Sequence, residues 1–337
     1  MLLIIFSSVI LLSFIFTFFI EKIFIKMNIF IDTPSSRKVH KKNVPTAGGL
    51  AIFFSFIIYI ILLSKFFTLD TYPFIALLFA VVPILIIGLI DDDSEVNIYV
   101  RLLVQFISAF LIIYYFQINN NISDNNQNSI LIIISSLLLS MWLMNLYNFM
   151  DGIDAYAVSE CIFVSFSSAF LAYLNNTDNL MFLYLLGLGF ASIGFLLRNW
   201  YPAKIFMGDT GSVTIGCIFS FFIFYSASES VLSIYTWLIL LSIFISDASY
   251  TLLVRIVTKK NILKPHLTHA FHIISRKKSQ LFTVKIMIII NLLWIFPLAL
   301  MSNLFSNYNI IITFIAYLPL VFYLIKIGAG LENNIIK

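Results

Sequence analysis

Residues 72–90 read YPFIALLFAVVPILIIGLI, and the three that follow are Asp91, Asp92 and Asp93. A run of this length without a charge can cross a bilayer, whose hydrocarbon core takes roughly 20 apolar residues of helix. The abrupt change to three acids marks where it meets water. The apolar residues are continuous rather than alternating, so a lipid-facing β-strand does not fit. Ten further runs of the same kind flank it, at about 2–20, 50–64, 99–116, 129–147, 157–174, 180–197, 212–226, 231–257, 283–301 and 309–327.

Composition agrees with that reading. Of 337 residues, 61% are hydrophobic and 11% charged, against about 45–50% and about 25% in soluble domains. A water-soluble globule and a disordered chain are both excluded. The two cysteines, Cys161 and Cys217, sit inside apolar runs, which excludes a secreted disulfide scaffold. The formal charge of +4 is too small to decide anything by its magnitude. The expected fold is therefore all-α, a polytopic integral membrane protein of about eleven transmembrane helices. No soluble domain has room between the runs, so residues 1–337 are expected to form a single domain.

The first run has no basic segment before it and is followed by Lys22 and Lys26, so it reads as a span rather than a cleaved leader. Those lysines hold its C-terminal end in the cytoplasm and put the N-terminus outside. Threading eleven spans from there places 21–49, 91–98, 148–156, 198–211, 258–282 and the C-terminal tail on the cytoplasmic side. Of the twenty Lys and Arg residues, all but Lys65 fall in or beside those segments, and one span more or fewer would scramble that partition.

The chemistry-bearing residues gather on the same face. Asp91, Asp92 and Asp93 repel one another and oppose the helix dipole. They read either as a solvated turn, with Asp93 or Ser94 capping the next helix, or as a site where a divalent cation offsets the repulsion. Magnesium suits such a cluster, since it takes one or two carboxylates and fills its other positions with water and phosphate oxygens. Asn145, Asn148, Asp151 and Asp154 recur every three residues at the inner end of a span. They either reach for water or form one stripe able to bind metal and substrate. Gly208-Asp209-Thr210-Gly211-Ser212 precedes a helix, so Asp209 or Thr210 serves as an N-cap or the glycines open the backbone to a phosphate. His266, His269 and His272 stand in a Lys- and Arg-rich loop without cysteine, which favours anion binding over zinc. Asp247 lies inside a span and is a functional candidate for that reason.

Taken in order, these segments resemble the polyprenyl-phosphate N-acetylhexosamine-1-phosphate transferases, glycosyltransferase family 4. The matching stretches are Asp32–Gly49 (D-x-P-x-x-R-K-x-H, then P-x-x-G-G), Asp91–Glu95, Asn145–Asp154 (N-x-x-N-x-x-D-G-x-D), Lys204–Ser212 (K-I-F-M-G-D-T-G-S) and His266–His272. Asn145–Gly152 with Glu160 downstream, Asn199–Lys204 and the His-x-x-His-Ala-aromatic loop are similar to the branch that initiates O-antigen and related surface polysaccharides, lipopolysaccharide among them. Three positions depart from the pattern: Glu95 for Asp, Ala155 for Gly, which would tighten the nucleotide pocket, and His272 for Gln.

The resemblance implies transfer of a sugar-1-phosphate from a UDP-N-acetylhexosamine to undecaprenyl phosphate, with release of UMP, as the first step of a lipid-linked cell-envelope glycan. It implies a multi-pass protein of the bacterial inner membrane with its active site on the cytoplasmic face. By the motif match, Asp209 and Asn148 hold Mg²⁺ (Mn²⁺ being the alternative ion). Asp91 and Asp92 orient the lipid phosphate or take its proton, so Asp91, Asp92 and Asp209 form the catalytic set. Asp154 reads uracil with Phe206 stacked on the ring. Lys38, His40 and Arg101 are phosphate contacts, His266 and His269 diphosphate contacts, and Asn145, Asp151 and His272 further substrate contacts. Expected partners are the two substrates, membrane lipid and a second copy of the chain, and not nucleic acid. The rival readings are a secondary transporter using intramembrane acids such as Asp247 and a non-catalytic assembly scaffold.

Overall fold

The computed structural model describes residues 2–33, 43–67, 72–119, 127–176, 180–262 and 266–332. Lys38 and His40 lie outside the described residues. The architecture is all-α, as expected: α1 (Leu2–Met27), α2 (Gly49–Leu63), α3 (Tyr72–Asp93), α4 (Ile98–Asn119), α5 (Gln127–Met150), α6 (Tyr156–Asn175), α7 (Met181–Asn199), α8 (Gly208–Ser228), α9 (Ile234–Leu240), α10 (Ser242–Val257), α11 (Ala270–Lys277), α12 (Gln280–Ile290), α13 (Phe296–Leu304) and α14 (Asn309–Ile327). A π-helical turn at Asn291–Ile295 joins α12 to α13. Two residue pairs, Ile31–Asp32 and Val44–Pro45, form a small antiparallel bridge.

Every one of the apolar runs is helical, but they are not equivalent. Among the described residues nine helical stretches are long and apolar enough to cross a membrane, with α12, the π-turn and α13 counted as one. The run at 231–257 is not one straight span: α9 and α10 meet at a 76° bend. The run at 50–64 gives a helix of 15 residues, about 22 Å long at 1.5 Å per residue and short of a core of about 30 Å. Continuity of apolar residues shows neither the bend nor the shortfall.

Helix α8 sits at the centre, packed on α3 and α5 and flanked by α2 and α4. Small residues allow this, because helices in lipid associate by close backbone approach. A Cβ on Gly88 of α3 would meet the Thr210 backbone at 2.7 Å, and one on Gly216 of α8 would lie 2.6 Å from Met144 Cα in α5. On the other side α7 packs between α1 and α6, and Arg198 at its end donates through Nε to Glu21 Oε2 of α1 at 2.8 Å. The ends of α1, α3, α5 and α7 and the start of α8 share one face.

Candidate active site

On that face a cleft of about 510 Å³ opens. It collects Asp91 and Asp92 from the end of α3, Asn148 from the end of α5, and Asp151 and Asp154 from the α5–α6 turn. Phe206 and Asp209 come from the entry to α8, and His266, His269 and His272 from the approach to α11 and its first turn. Ten residues singled out from sequence thus meet in one place. Arg101 stands behind this wall: its guanidinium bonds Asp91 Oδ2 at 2.6 Å and Asp209 Oδ2 at 3.0 Å. Asn145 does not line the cleft. Its amide donates to Gln105 Oε1 at 2.6 Å and to the Met141 carbonyl at 2.7 Å, so it ties α5 to α4.

The acids divide by what they already hold. Asp92 accepts four hydrogen bonds: from Asp209 N at 2.9 Å, Thr46 Oγ1 at 3.2 Å, Thr210 N at 3.1 Å and Thr210 Oγ1 at 2.6 Å. It caps α8 from another helix, satisfying two of the amides that a helix N-terminus leaves open. This revises two sequence readings. Neither Asp209 nor Thr210 is the N-cap, and of the backbone N–H groups that the glycines were expected to open to a phosphate, those of Asp209 and Thr210 are taken by a carboxylate. Gly208 makes the approach feasible, with a φ of +73° and no Cβ to strike Asp92 or Thr46. Asp91 accepts from Val96 N at 2.7 Å as well as from Arg101. The turn after α3 does not cap α4 through Asp93 or Ser94; Asn97 does, accepting from Tyr99 N at 2.9 Å.

Asp209 pairs with Arg101 and accepts from Asn148 Nδ2 at 2.7 Å. Asp151 is different. Half-buried in the cleft, it accepts no hydrogen bond from the described residues and faces the like charges of Asp209, Asp92 and Asp154. Loss of hydration, then those charges, push its carboxyl well above the usual range. Asp154 accepts from Ala203 N at 2.9 Å, and its own N–H donates to Gln280 Oε1 at 3.1 Å. No three His, Cys, Asp or Glu among the described residues close into a metal cage. The available donors are the Asp209 and Asp151 carboxylates and the Asn148 amide. That set fits an ion that draws its remaining ligands from water and phosphate, and does not fit a protein-enclosed zinc.

The histidines are set by Asp247. Its Oδ1 accepts from Ala270 N at 2.9 Å and its Oδ2 from Phe271 N at 3.1 Å, capping α11, while His269 Nδ1 stands 3.3 Å from Oδ1. A carboxylate there fixes the His269 proton on Nδ1 and leaves Nε2 for another partner. His266 Nδ1 lies 3.0 Å from Thr268 Oγ1. Burial pulls the imidazoles of His266 and His272 down to about 4 and about 3, so both are neutral hydrogen-bonding groups at neutral pH. The one acid that suggested a transporter is thus a capping group, and that reading has no support.

Sequence reasoning missed Thr46, Asn199 and Gln280, which line the cleft. Asn199 accepts from Ala155 N at 3.0 Å and donates to the Ile205 carbonyl at 2.9 Å. It stood in a quoted stretch, as did Thr46, whereas no spacing marked Gln280. Ala155 does not line the cleft: it is buried with a φ of +64°.

The sequence matches the profile of glycosyl transferase family 4 over residues 74–227. A probable undecaprenyl-phosphate N-acetylglucosaminyl 1-phosphate transferase of Bacillus subtilis is 29% identical over 261 residues, 75% of this chain and 71% of that one. An undecaprenyl-phosphate alpha-N-acetylglucosaminyl 1-phosphate transferase of Thermotoga maritima is 26% identical over 276 residues, 81% of this chain and 82% of that one. A phospho-N-acetylmuramoyl-pentapeptide-transferase of Borrelia turicatae is 27% identical over 273 residues, covering 69% and 74%.

Proposed function

We propose that the chain, which matches the glycosyl transferase family 4 profile over residues 74–227 and is similar to undecaprenyl-phosphate N-acetylglucosaminyl 1-phosphate transferases, is a polyprenyl-phosphate N-acetylhexosamine-1-phosphate transferase that moves a sugar-1-phosphate from a UDP-N-acetylhexosamine to undecaprenyl phosphate and releases UMP. The observation that carries this reading is the single cleft at the ends of the spans. There Asp209, Asn148 and Asp151 present oxygen donors beside Arg101. We place this face in the cytoplasm of a bacterial inner membrane, with eleven spans, the N-terminus outside and the whole chain acting as one transferase domain. In that count α2 and the bent α9–α10 pair each serve as one span.

In the reaction an oxygen of the lipid phosphate attacks the β-phosphorus of the donor. The bond from that phosphorus to the bridging oxygen breaks, and UMP departs. A phosphate monoester, with its second pKa near roughly 6, is already largely dianionic, so no residue has to remove a proton. Asp92, with four donors on it, positions the start of α8 and through it Asp209. Arg101 holds Asp91 and Asp209 and supplies positive charge beside the phosphates. Mg²⁺, held by Asp209 and Asn148 with Asp151 facing them, would neutralise charge on the diphosphate and its transition state. Asp154 and Phe206 receive the uracil, the neutral His266 donates to the diphosphate, and His269 faces it through Nε2. The lipid stays in the bilayer while its phosphate reaches the cleft, which is why a membrane protein performs this chemistry.

The test is purified protein with undecaprenyl phosphate, Mg²⁺ and a panel of UDP-sugars, with UMP as the readout. UMP formation that needs all three components is expected. Folded protein that yields no UMP with any donor would reject the proposal.

A further inference from the structure

A second group of polar side chains lies deeper, away from the cleft. Glu160, in the second turn of α6, and Asn291, the first residue of the π-helical turn, are both fully buried. Asn291 Nδ2 donates to Glu160 Oε2 at 2.6 Å. The other two atoms of the pair, Glu160 Oε1 and Asn291 Oδ1, are buried without a hydrogen-bond partner, and the nearby Tyr147 hydroxyl is too. No cation pairs with Glu160 among the described residues.

Two orphan acceptors belonging to one hydrogen-bonded pair need a donor between them. An ionised carboxylate buried with a single hydrogen bond and no countercharge is costly, and such groups take up a proton instead. We propose that Glu160 stands as a neutral carboxylic acid, its O–H on Oε1 donating to Asn291 Oδ1, so that acid and amide form a closed two-bond pair. No other occupant is then required, and both orphans are satisfied.

The pair is a positioning device for the cleft. α6 follows directly from the turn that carries Asp151 and Asp154, and α12 begins at Gln280, which receives the Asp154 N–H. α12 is therefore fixed to the α5–α6 segment at its two ends, at Gln280 and just past Ile290 at Asn291. The deeper joint sets its rotation and height. The π-helical turn that starts at Asn291 has the hydrogen-bond register break common at functional positions.

Glu160→Gln is the decisive variant. A glutamine donates to Asn291 Oδ1 and accepts from Asn291 Nδ2, reproducing both bonds without a titratable proton. In infrared difference spectra of the full-length protein, wild type minus E160Q, we expect a protonated-carboxyl carbonyl band across the neutral pH range. UMP formation and Tm of E160Q should stay within about twofold and a few degrees of wild type. Asn291→Leu, which removes the amide, should lower Tm and shift the carbonyl band to that of an acid without its partner. Carboxylate bands in place of the acid band would overturn the proposal, as would an E160Q protein that fails to fold. A wild-type Tm that rises with Na⁺ but not with choline, and does so no longer in E160Q, would make the site a sodium site instead.

Discussion

Asp92 and Asp151 line the same cleft and differ in nearly everything that matters. Asp92 is surrounded by donors and caps α8, whereas Asp151 receives none from the described residues and faces three other acids. The same division separates Asp247, with the Ala270 and Phe271 amides on it, from Asp209, which shares Arg101 with Asp91. A carboxylate whose lone pairs are taken by backbone amides is building the site. One left facing like charge inside a cleft is, in the function proposed, the group that a cation or a cationic ligand would meet. The lesson is that acids of one cluster are distinguished by what already bonds them.

The largest effect is expected at Asp209. Asp209→Asn keeps the Asn148 contact in reach but removes the charge that pairs with Arg101 and that the proposed ion would meet. UMP formation should fall by roughly 10²–10³-fold or more with Tm near wild type. Near-normal turnover would remove Asp209 from the catalytic set. Next comes the contrast itself. Asp92→Asn replaces an acceptor of four bonds by a carboxamide that can accept through one oxygen only, leaving α8 amides short of a partner. We expect a loss of about 2–3 kcal/mol, seen as a lower Tm in metal-free buffer, together with reduced turnover. Asp151→Asn should do the reverse to stability. With the repulsion gone, Tm without metal rises, while the stabilisation produced by adding Mg²⁺ shrinks. If D92N and D151N shift Tm in the same direction, the proposed division of labour is wrong.

The sequence carried the membrane class and the clustering of polar motifs, because both rest on one-dimensional signals: apolar run length and polar residues at run ends. It could not separate a straight span from α9–α10, since the 76° bend at Leu241 leaves the hydropathy unbroken. Nor could it show that Asp92 and Asp247 cap helices distant in the chain. The amides of Asp209 and Thr210 lie more than a hundred residues from Asp92, and local capping rules look only at neighbours. Asn145 shows the opposite failure. The three-residue repeat placed it with Asn148 and Asp151, but the drift of that spacing around a helix turns it toward Gln105. Gln280 was invisible because its contribution is one side-chain oxygen beneath Asp154, a fact of packing alone.

The smallest effect is expected at Ala155, and it sharpens the same contrast between groups that build the cleft and groups that face it. Read from sequence, an alanine in place of glycine would narrow the nucleotide pocket, so Ala155→Gly should alter donor affinity. The structure argues otherwise, because the methyl is buried outside the cleft while the residue holds a φ of +64° and donates its N–H to Asn199. Glycine would relieve a left-handed strain of about 1–2 kcal/mol. Against this stand the loss of a buried methyl, about 0.8 kcal/mol, and the greater freedom of an unfolded glycine, about 0.4–1 kcal/mol. These nearly cancel, so Tm should move by no more than a few degrees and the donor KM should not change. Ala155→Val adds a β-branch to a left-handed residue and should lower Tm clearly. A donor KM that falls in A155G would return Ala155 to the wall of the pocket.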